Sequence, residues 1–365
     1  MNPTVKRESL KERFSIAANK QFKRLNEKTQ VLVPQNGQEE VIQSRLTHSY
    51  EVASSAEMIA TSIADDLEIK YSDVDYQYAV YNASLLHDIG HPAFGHDGAD
   101  VLNEFFINQG LKEGFSDNNN NLVIIEKNDI KVRDYTLASI IKYPEKLYND
   151  QKEKYTKILK ESLSIDKDHF ENFNINLKNQ KKTIACQIMD EADRNTYACS
   201  DLADFFCLGN RLEYDKFFVL ADKMGLLETL KDQIEEIYNA VKYSDKNKIK
   251  SFFCDKMIDF NTNFELTEEG VSFKNEELFH LREYMAELTL VYFIKPIREE
   301  EYNLTNMEML REFLEYVMDN EFYPSNHYRN AISSADTEIE KLKLIRNMVS
   351  EVSDWYIFKI NKTIS

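Results

Sequence analysis

Glycine and proline are scarce, at 9 and 6 in 365 residues. An average chain holds about 7% Gly and about 5% Pro, so the tight turns of a sandwich, barrel or doubly wound sheet have little to be built from. No apolar run approaches the roughly 20 residues that cross a bilayer, which argues against a membrane protein. Four cysteines (Cys186, Cys199, Cys207, Cys254) form no CxxC pair and read as reduced, mostly core thiols. Basic residues are outnumbered, 45 to 63, leaving a net charge of −18. A protein that coats DNA or an anionic membrane would have the opposite balance, so the charge argues against a nucleic-acid partner. The segment Met1–Phe14 is charged and lacks the apolar stretch of a signal peptide, which with the reduced thiols predicts a cytoplasmic location.

What remains is an all-α chain with ample material for a core: 42% hydrophobic residues, among them 22 Phe and 20 Tyr. The Asn-rich tract Asp117–Asn121 predicts an exposed loop, because Asn favours turns. Residues 145–182, rich in Lys and Asn, predict a solvated helix pair with a mobile connection. Beyond Leu212 the charged and apolar residues alternate at helical spacing, which predicts a bundle of long helices. At about 150 residues per domain, the expected division is 1–210 and 211–365, the second region packed on the first or continuous with it.

Chemistry concentrates in a short stretch. Four of 7 histidines (His48, His87, His91, His96) lie within residues 48–96 in apolar surroundings. His48 precedes Val52, Ala56, Ile59 and Ile63 on one helical stripe and so faces the interior. His87 and Asp88 end a helix that begins near Tyr76 and is stopped by Gly90 and Pro92, where both side chains can turn to one point. A lone interior His is more often a hydrogen-bonded core residue than a ligand. A His-Asp pair with a second interior His shifts the balance towards a divalent metal, and without nearby Cys a structural zinc site is disfavoured. Further on, Thr183–Phe206 predicts a helix in which Asp193, Tyr197 and Asp201 fall at i, i+4 and i+8. Three of the nine glycines (Gly90, Gly95, Gly98) sit in the loop with His91 and His96.

His48, His87-Asp88 and a later Asp resemble the H…HD…D pattern of the HD-domain metal-dependent phosphohydrolases. The segments FKRLNEKTQV (Phe22–Val31), SRLTHSYEV (Ser44–Val52), LLHDIGHPAFGHDGA (Leu85–Ala99), IIKYPEK (Ile140–Lys146) and MDEADRNTYACSDL (Met189–Leu202) occur in order. Together they are similar to the deoxyguanosine triphosphate triphosphohydrolases, over roughly residues 15–205. VSDWY (Val352–Tyr356) is a fainter match in the C-terminal third. The resemblance implies an HD-domain helical bundle with additional C-terminal helices, and hydrolysis of a dNTP, dGTP above all, to deoxynucleoside and inorganic triphosphate. It makes His48, His87, Asp88 and Asp193 the ligands of one divalent ion per site (Mn, Mg or Fe). Asp193 rests mainly on this resemblance.

By the same carry-over His96 assists proton transfer beside the scissile bond and His91 contacts a phosphate or supports the metal ligands. Tyr197 and Asp201 face the deoxyribose, Gln30 also touches the sugar, and Arg45, Asn118, Lys142 and Tyr143 surround the triphosphate. A homo-oligomer and nucleotide activation are further implications. Where the family often has Glu, three residues after His96, stands Ala99, so Asp97 or Asp100 is expected to orient His96. Asn118-Asn119-Asn120 stands where the family writes N-A-Q, and Ser200 replaces a His before Asp201. Two other readings stay open: another HD phosphohydrolase, such as a 5′-nucleotidase or guanosine polyphosphate hydrolase, and a nucleotide-sensing HD protein without turnover.

Overall fold

The computed structural model describes residues 3–31, 42–68, 75–242, 245–324 and 326–364. The first half comprises α1 (Pro3–Ala18), α2 (Lys20–Arg24), α3 (Arg45–Asp66), α4 (Asp75–Leu86), α5 (Gly95–Asn108), α6 (Asp117–Lys127), α7 (Asp134–Ile140), α8 (Asn149–Glu171), α9 (Ile184–Thr196) and α10 (Leu202–Cys207). The second half begins with α11 (Tyr214–Lys223), α12 (Leu227–Val241) and α13 (Lys246–Asn261). A hairpin of β1 (Phe264–Thr267) and β2 (Gly270–Phe273) follows. The rest is α14 (Glu276–Thr289), α15 (Lys295–Glu299), α16 (Glu301–Asp319), α17 (Asn326–Ser333), α18 (Glu338–Ser350) and α19 (Asp354–Ile364). The class is all-α, as the shortage of turn formers predicts. Among the described residues the hairpin is the only sheet, with Phe264 opposite Phe273.

Helices α3, α4 and α9 pack on one another and form the frame of the site. The Ser44 hydroxyl caps α3 by accepting the Thr47 N–H at 3.3 Å, and Val52, Ala56, Ile59 and Ile63 are all buried. Side chains from both sides of residue 210 share clusters: Ala198–Cys207 pack with Phe217, Phe253 and Leu288, and Phe94, Leu102 and Phe106 pack with Leu310, Phe313 and Ile357.

Three expectations are corrected. Asp117–Asn121 is the first part of α6, capped by Ser116, and Asn119, Asn120 and Asn121 are buried. Residues 145–182 hold one 23-residue helix, α8, that buries Tyr155, Ile158, Leu159 and Phe170 at helical spacing. Its charged face had masked that stripe. The Thr183–Phe206 helix is interrupted by a π-helical turn at Tyr197–Asp201 between α9 and α10, and a second π-turn spans Leu290–Ile294.

Candidate active site and metal centre

Three helices bring His48, His87 and Asp193 into one cluster, with Asp88, the fourth of the quartet, beside His87. His48 comes from the first turn of α3, His87 and Asp88 from the residues just past α4, and Asp193 from α9. His48 Nε2 lies 3.2 Å from Asp193 Oδ1, and His87 Nε2 lies 3.5 Å from that oxygen and 3.4 Å from Asp88 Oδ1. Both imidazoles and Asp88 are buried, while Asp193 keeps a partly open edge. The His87 Nδ1 faces the Ser84 carbonyl at 2.7 Å, which places its proton there and leaves the Nε2 lone pair towards two carboxylates. Nε2 has no hydrogen-bond partner among the described residues. A lone pair facing two carboxylates needs a positive centre between them, and the donor set suits a divalent ion. Burial disfavours the His87 imidazolium, yet Asp88 and Asp193 outweigh it and raise the pKa, so a proton can supply that charge when no metal does.

Burial pushes the Asp88 and Asp193 carboxyls up, but their cationic neighbours prevail and hold both well below the usual range. The neighbours are specific. Arg45, fully buried, donates to Asp88 at 2.5 Å and to the Gln30 carbonyl at 3.2 Å. Lys142 donates to Asp193 at 2.9 Å and lies 3.2 Å from Asp190. Both were expected around the triphosphate. Here they neutralise the carboxylates of the quartet, and Lys142 remains beside the small cleft it shares with Asn118 and Tyr143.

Beyond Asp88 the chain turns sharply. A Cβ at Gly90 would lie 2.4 Å from the Asn121 nitrogen and the Asp117 carbonyl, so only glycine lets α6 cross here. Asn121 Oδ1 accepts the Gly90 N–H at 2.6 Å, Asn121 Nδ2 donates to the His87 carbonyl at 2.6 Å, and Asn120 Nδ2 donates to the Gly90 carbonyl at 2.7 Å. The low-complexity tract is thus a clamp on the HD loop. Phe94 and Gly95, where α5 begins, both take left-handed φ, 60° and 61°. That conformation costs a non-Gly residue on the order of 1–2 kcal/mol. It is held by Asp354 of α19, whose Oδ1 accepts the Phe94 N–H at 2.9 Å while Oδ2 accepts Thr29 N–H and Oγ1–H at 2.9 and 2.5 Å. Buried Lys28 donates to the carbonyls of His91 and, at 3.0 Å, Ser350. Asp354 belongs to the faint VSDWY match, Lys28 to FKRLNEKTQV and Asn120 to the N-A-Q match, but none of these signals pointed to a brace, and Asn121 had no signal.

The loop presents a second cluster. His91 Nδ1 lies 3.2 Å from Asp88 Oδ1, and its Nε2 lies 3.0 Å from Asp117 Oδ2 and 3.4 Å from His96 Nδ1. Burial and Arg45 disfavour the His91 imidazolium, but Asp88 and Asp117 outweigh them and raise its pKa. His96 is 63% exposed at its side chain. The Asp117 hydrogen bond favours its charged form, while desolvation, His91 and Arg45 together lower its pKa. Neither carboxylate expected to orient His96 does so. Asp100 is exposed, with no hydrogen bond or ion pair to His96 among the described contacts, and Asp97 is held by Arg298 at 2.9 Å and Asn303 at 3.0 Å. The carboxylate beside His96 is Asp117, 3.6 Å from Nδ1. Sequence spacing missed it because α6 was read as loop.

Next to this cluster opens a cavity of about 170 Å³. Gln30, His96, Tyr197 and Asp201 line it, with Phe94, Leu290, Ile294, Ile297 and Arg298. Each π-turn contributes two of these residues, and such turns often occur at functional sites. Burial pushes Asp201 up to about 8, and its Oδ2, like Gln30 Oε1, is buried without a partner among the described residues. Tyr143 stays 43% exposed outside this cavity, with Lys146 4.8 Å from its ring.

Residues 45–197 match the HD domain family. A deoxyguanosinetriphosphate triphosphohydrolase-like protein of Shewanella oneidensis is 28% identical over 54% of this chain and 54% of its own length. A deoxyguanosinetriphosphate triphosphohydrolase-like protein 2 of Vibrio cholerae is 35% identical over 46% of this chain and 39% of its own. The chain spans about half the length of the first of these relatives. A crystal structure of a hypothetical protein from Aquifex aeolicus aligns with 97% of this chain and 67% of that one, at 16% identity and a TM-score of 0.40. The chain carries an HD domain and is similar to dGTPase-like proteins, as its motifs imply.

Proposed function

We propose that the HD domain of this chain makes it a metal-dependent phosphohydrolase that cleaves a dNTP, dGTP first, at the α-phosphate to release deoxynucleoside and inorganic triphosphate. The observation that carries this reading is that Asp193 of α9 joins the quartet while Tyr197 and Asp201, on the π-turn that follows, line the cavity that Gln30 and His96 also line. A divalent ion (Mn, Mg or Fe) among His48, His87, Asp88 and Asp193 would neutralise and polarise the α-phosphate. The Tyr197 ring offers an apolar face to C2′ of a deoxyribose, and a 2′-hydroxyl would meet it unpaired. Asp201, protonated at neutral pH and lacking a partner, can both donate to and accept from the 3′-hydroxyl. His96, with its pKa lowered and Nδ1 engaged by the His91–Asp117 pair, leaves Nε2 to exchange a proton with the attacking water or the departing 5′-oxygen.

Arg45 and Lys142, already paired with carboxylates, add their positive field beside the phosphates without being free to grip them. The same reading makes the protein a cytoplasmic homo-oligomer open to nucleotide activation. The test is product analysis with purified protein, Mn²⁺ or Mg²⁺, and each dNTP and rNTP in turn. Tripolyphosphate from dNTPs alone is expected. Monophosphate with pyrophosphate, or equal cleavage of rNTPs, would overturn the proposal.

A further inference from the structure

The quartet is matched by a second triangle of metal-binding atoms. His91 Nε2, His96 Nδ1 and Asp117 Oδ2 are separated by 3.0, 3.4 and 3.6 Å. With ligand bonds of about 2.0–2.2 Å, neighbouring donors on a tetrahedral or octahedral ion lie ~3.0–3.5 Å apart. The quartet shows the same spacing, 3.2 to 3.5 Å. We propose that His91, His96 and Asp117 form a second divalent-cation site, adjacent to the first and facing the substrate cavity.

Three further features support it. Asp88 Oδ1 lies 3.2 Å from His91 Nδ1, and a carboxylate at that distance favours the tautomer with its proton on Nδ1, which leaves the Nε2 lone pair to the triangle. A ligating imidazole whose other nitrogen donates to a carboxylate is the usual support for a metal. Asp88 therefore serves one centre as ligand and orients a ligand of the other. The site is also reachable, since His96 is exposed at the rim while His91 is buried beneath it. Finally, on the phosphohydrolase reading, a polyphosphate arriving beside His96 meets the Asp117 carboxylate. Like charges repel there, and a divalent ion between them converts the repulsion into a bridge. Ligation through Nδ1 would also put the His96 proton on Nε2, making that residue a donor to the leaving oxygen.

Two imidazoles and one carboxylate suit Mn²⁺, Fe²⁺ or Zn²⁺ better than Ca²⁺, and Mn²⁺ is the probe. The full chain is dialysed against Mn²⁺ at raised salt, which screens weak binding to the acidic surface, and bound metal is counted. The wild type should retain two Mn²⁺ per chain. His96→Gln, at an exposed position where folding is not at risk, and Asp117→Asn should each retain one. Asp193→Ala should lose the other. One Mn²⁺ per wild-type chain would overturn the site, leaving His91 an imidazolium between Asp88 and Asp117; so would two that survive both rim variants. Two bound Mn²⁺ without triphosphate release would keep the site and end the functional reading, and one with release would do the reverse.

Discussion

The quartet and the rim triangle lie on either side of Asp88 and are built in opposite ways. His48 and Asp193 project from α3 and α9, and His87 and Asp88 from the end of α4; these helices pack directly on one another, and three of the four residues are buried. His91, His96 and Asp117 come from a turn and the first residues of two helices. Their positions depend on contacts from far along the chain: the Asn120 and Asn121 amides, Lys28, and Asp354. The first centre is a property of helix packing. The second is a property of its braces, and can be loosened without touching a single one of its own side chains.

The largest effect that separates the two should come from the quartet itself. His87→Ala or Asp193→Ala should reduce tripolyphosphate release to background with far-UV circular dichroism unchanged; residual turnover would remove that residue from the metal shell. Next comes the brace. Asp354→Asn replaces an acceptor of three hydrogen bonds and should lower turnover on the order of 10–100-fold, as loss of a supporting residue typically does. Metal bound at the quartet should be unaffected, and a parallel loss of that metal would erase the distinction between the centres. Asn121→Ala removes two buried bonds to the HD loop and should cost about 2–4 kcal/mol, read by denaturant unfolding.

The smallest effect concerns Asp201 at the cavity wall. Its folded pKa, about 8, lies above the unfolded value, so the native state holds the extra proton and stability falls as pH rises through that range. Asp166 and Asp204, both near 7, are largely spent by then. Asp201→Asn should flatten the loss between pH 7 and 8 by at most about 1 kcal/mol per proton and pH unit. An unchanged slope would mean that water reaches the carboxyl.

What could be read from the chain follows the same division. Helical periodicity placed His48 inside, and the end of α4 placed His87 and Asp88 together, because both depend on spacing within a few turns. The motif resemblance supplied Gln30, Tyr197 and Asp201, which the fold gathers around one cavity with His96. The Asn tract misled because its side-chain partners, the His87 and Gly90 backbones, lie 30 to 34 residues away. A composition that favours turns in isolation is stable in a helix when those amides replace buried backbone partners. The resemblance placed Arg45 and Lys142 around the triphosphate; their pairing with Asp88 and Asp193 was not legible, because those partners lie 43 and 51 residues away. The polar line on α9 held only in part, since the π-turn at Tyr197 shifts the register beyond Asp193.

The brace also orders events in time. Asp354 meets Phe94 across 260 residues, and Lys28 meets Ser350 across 322. On a growing chain, α3, α4 and α9 are all complete once residue 196 has emerged, and they can close the quartet around a cation. The loop with His91 and His96 must wait for α19, roughly 10–30 s later at ordinary rates of synthesis. A nascent chain can therefore assemble its buried quartet before the rim triangle has its braces.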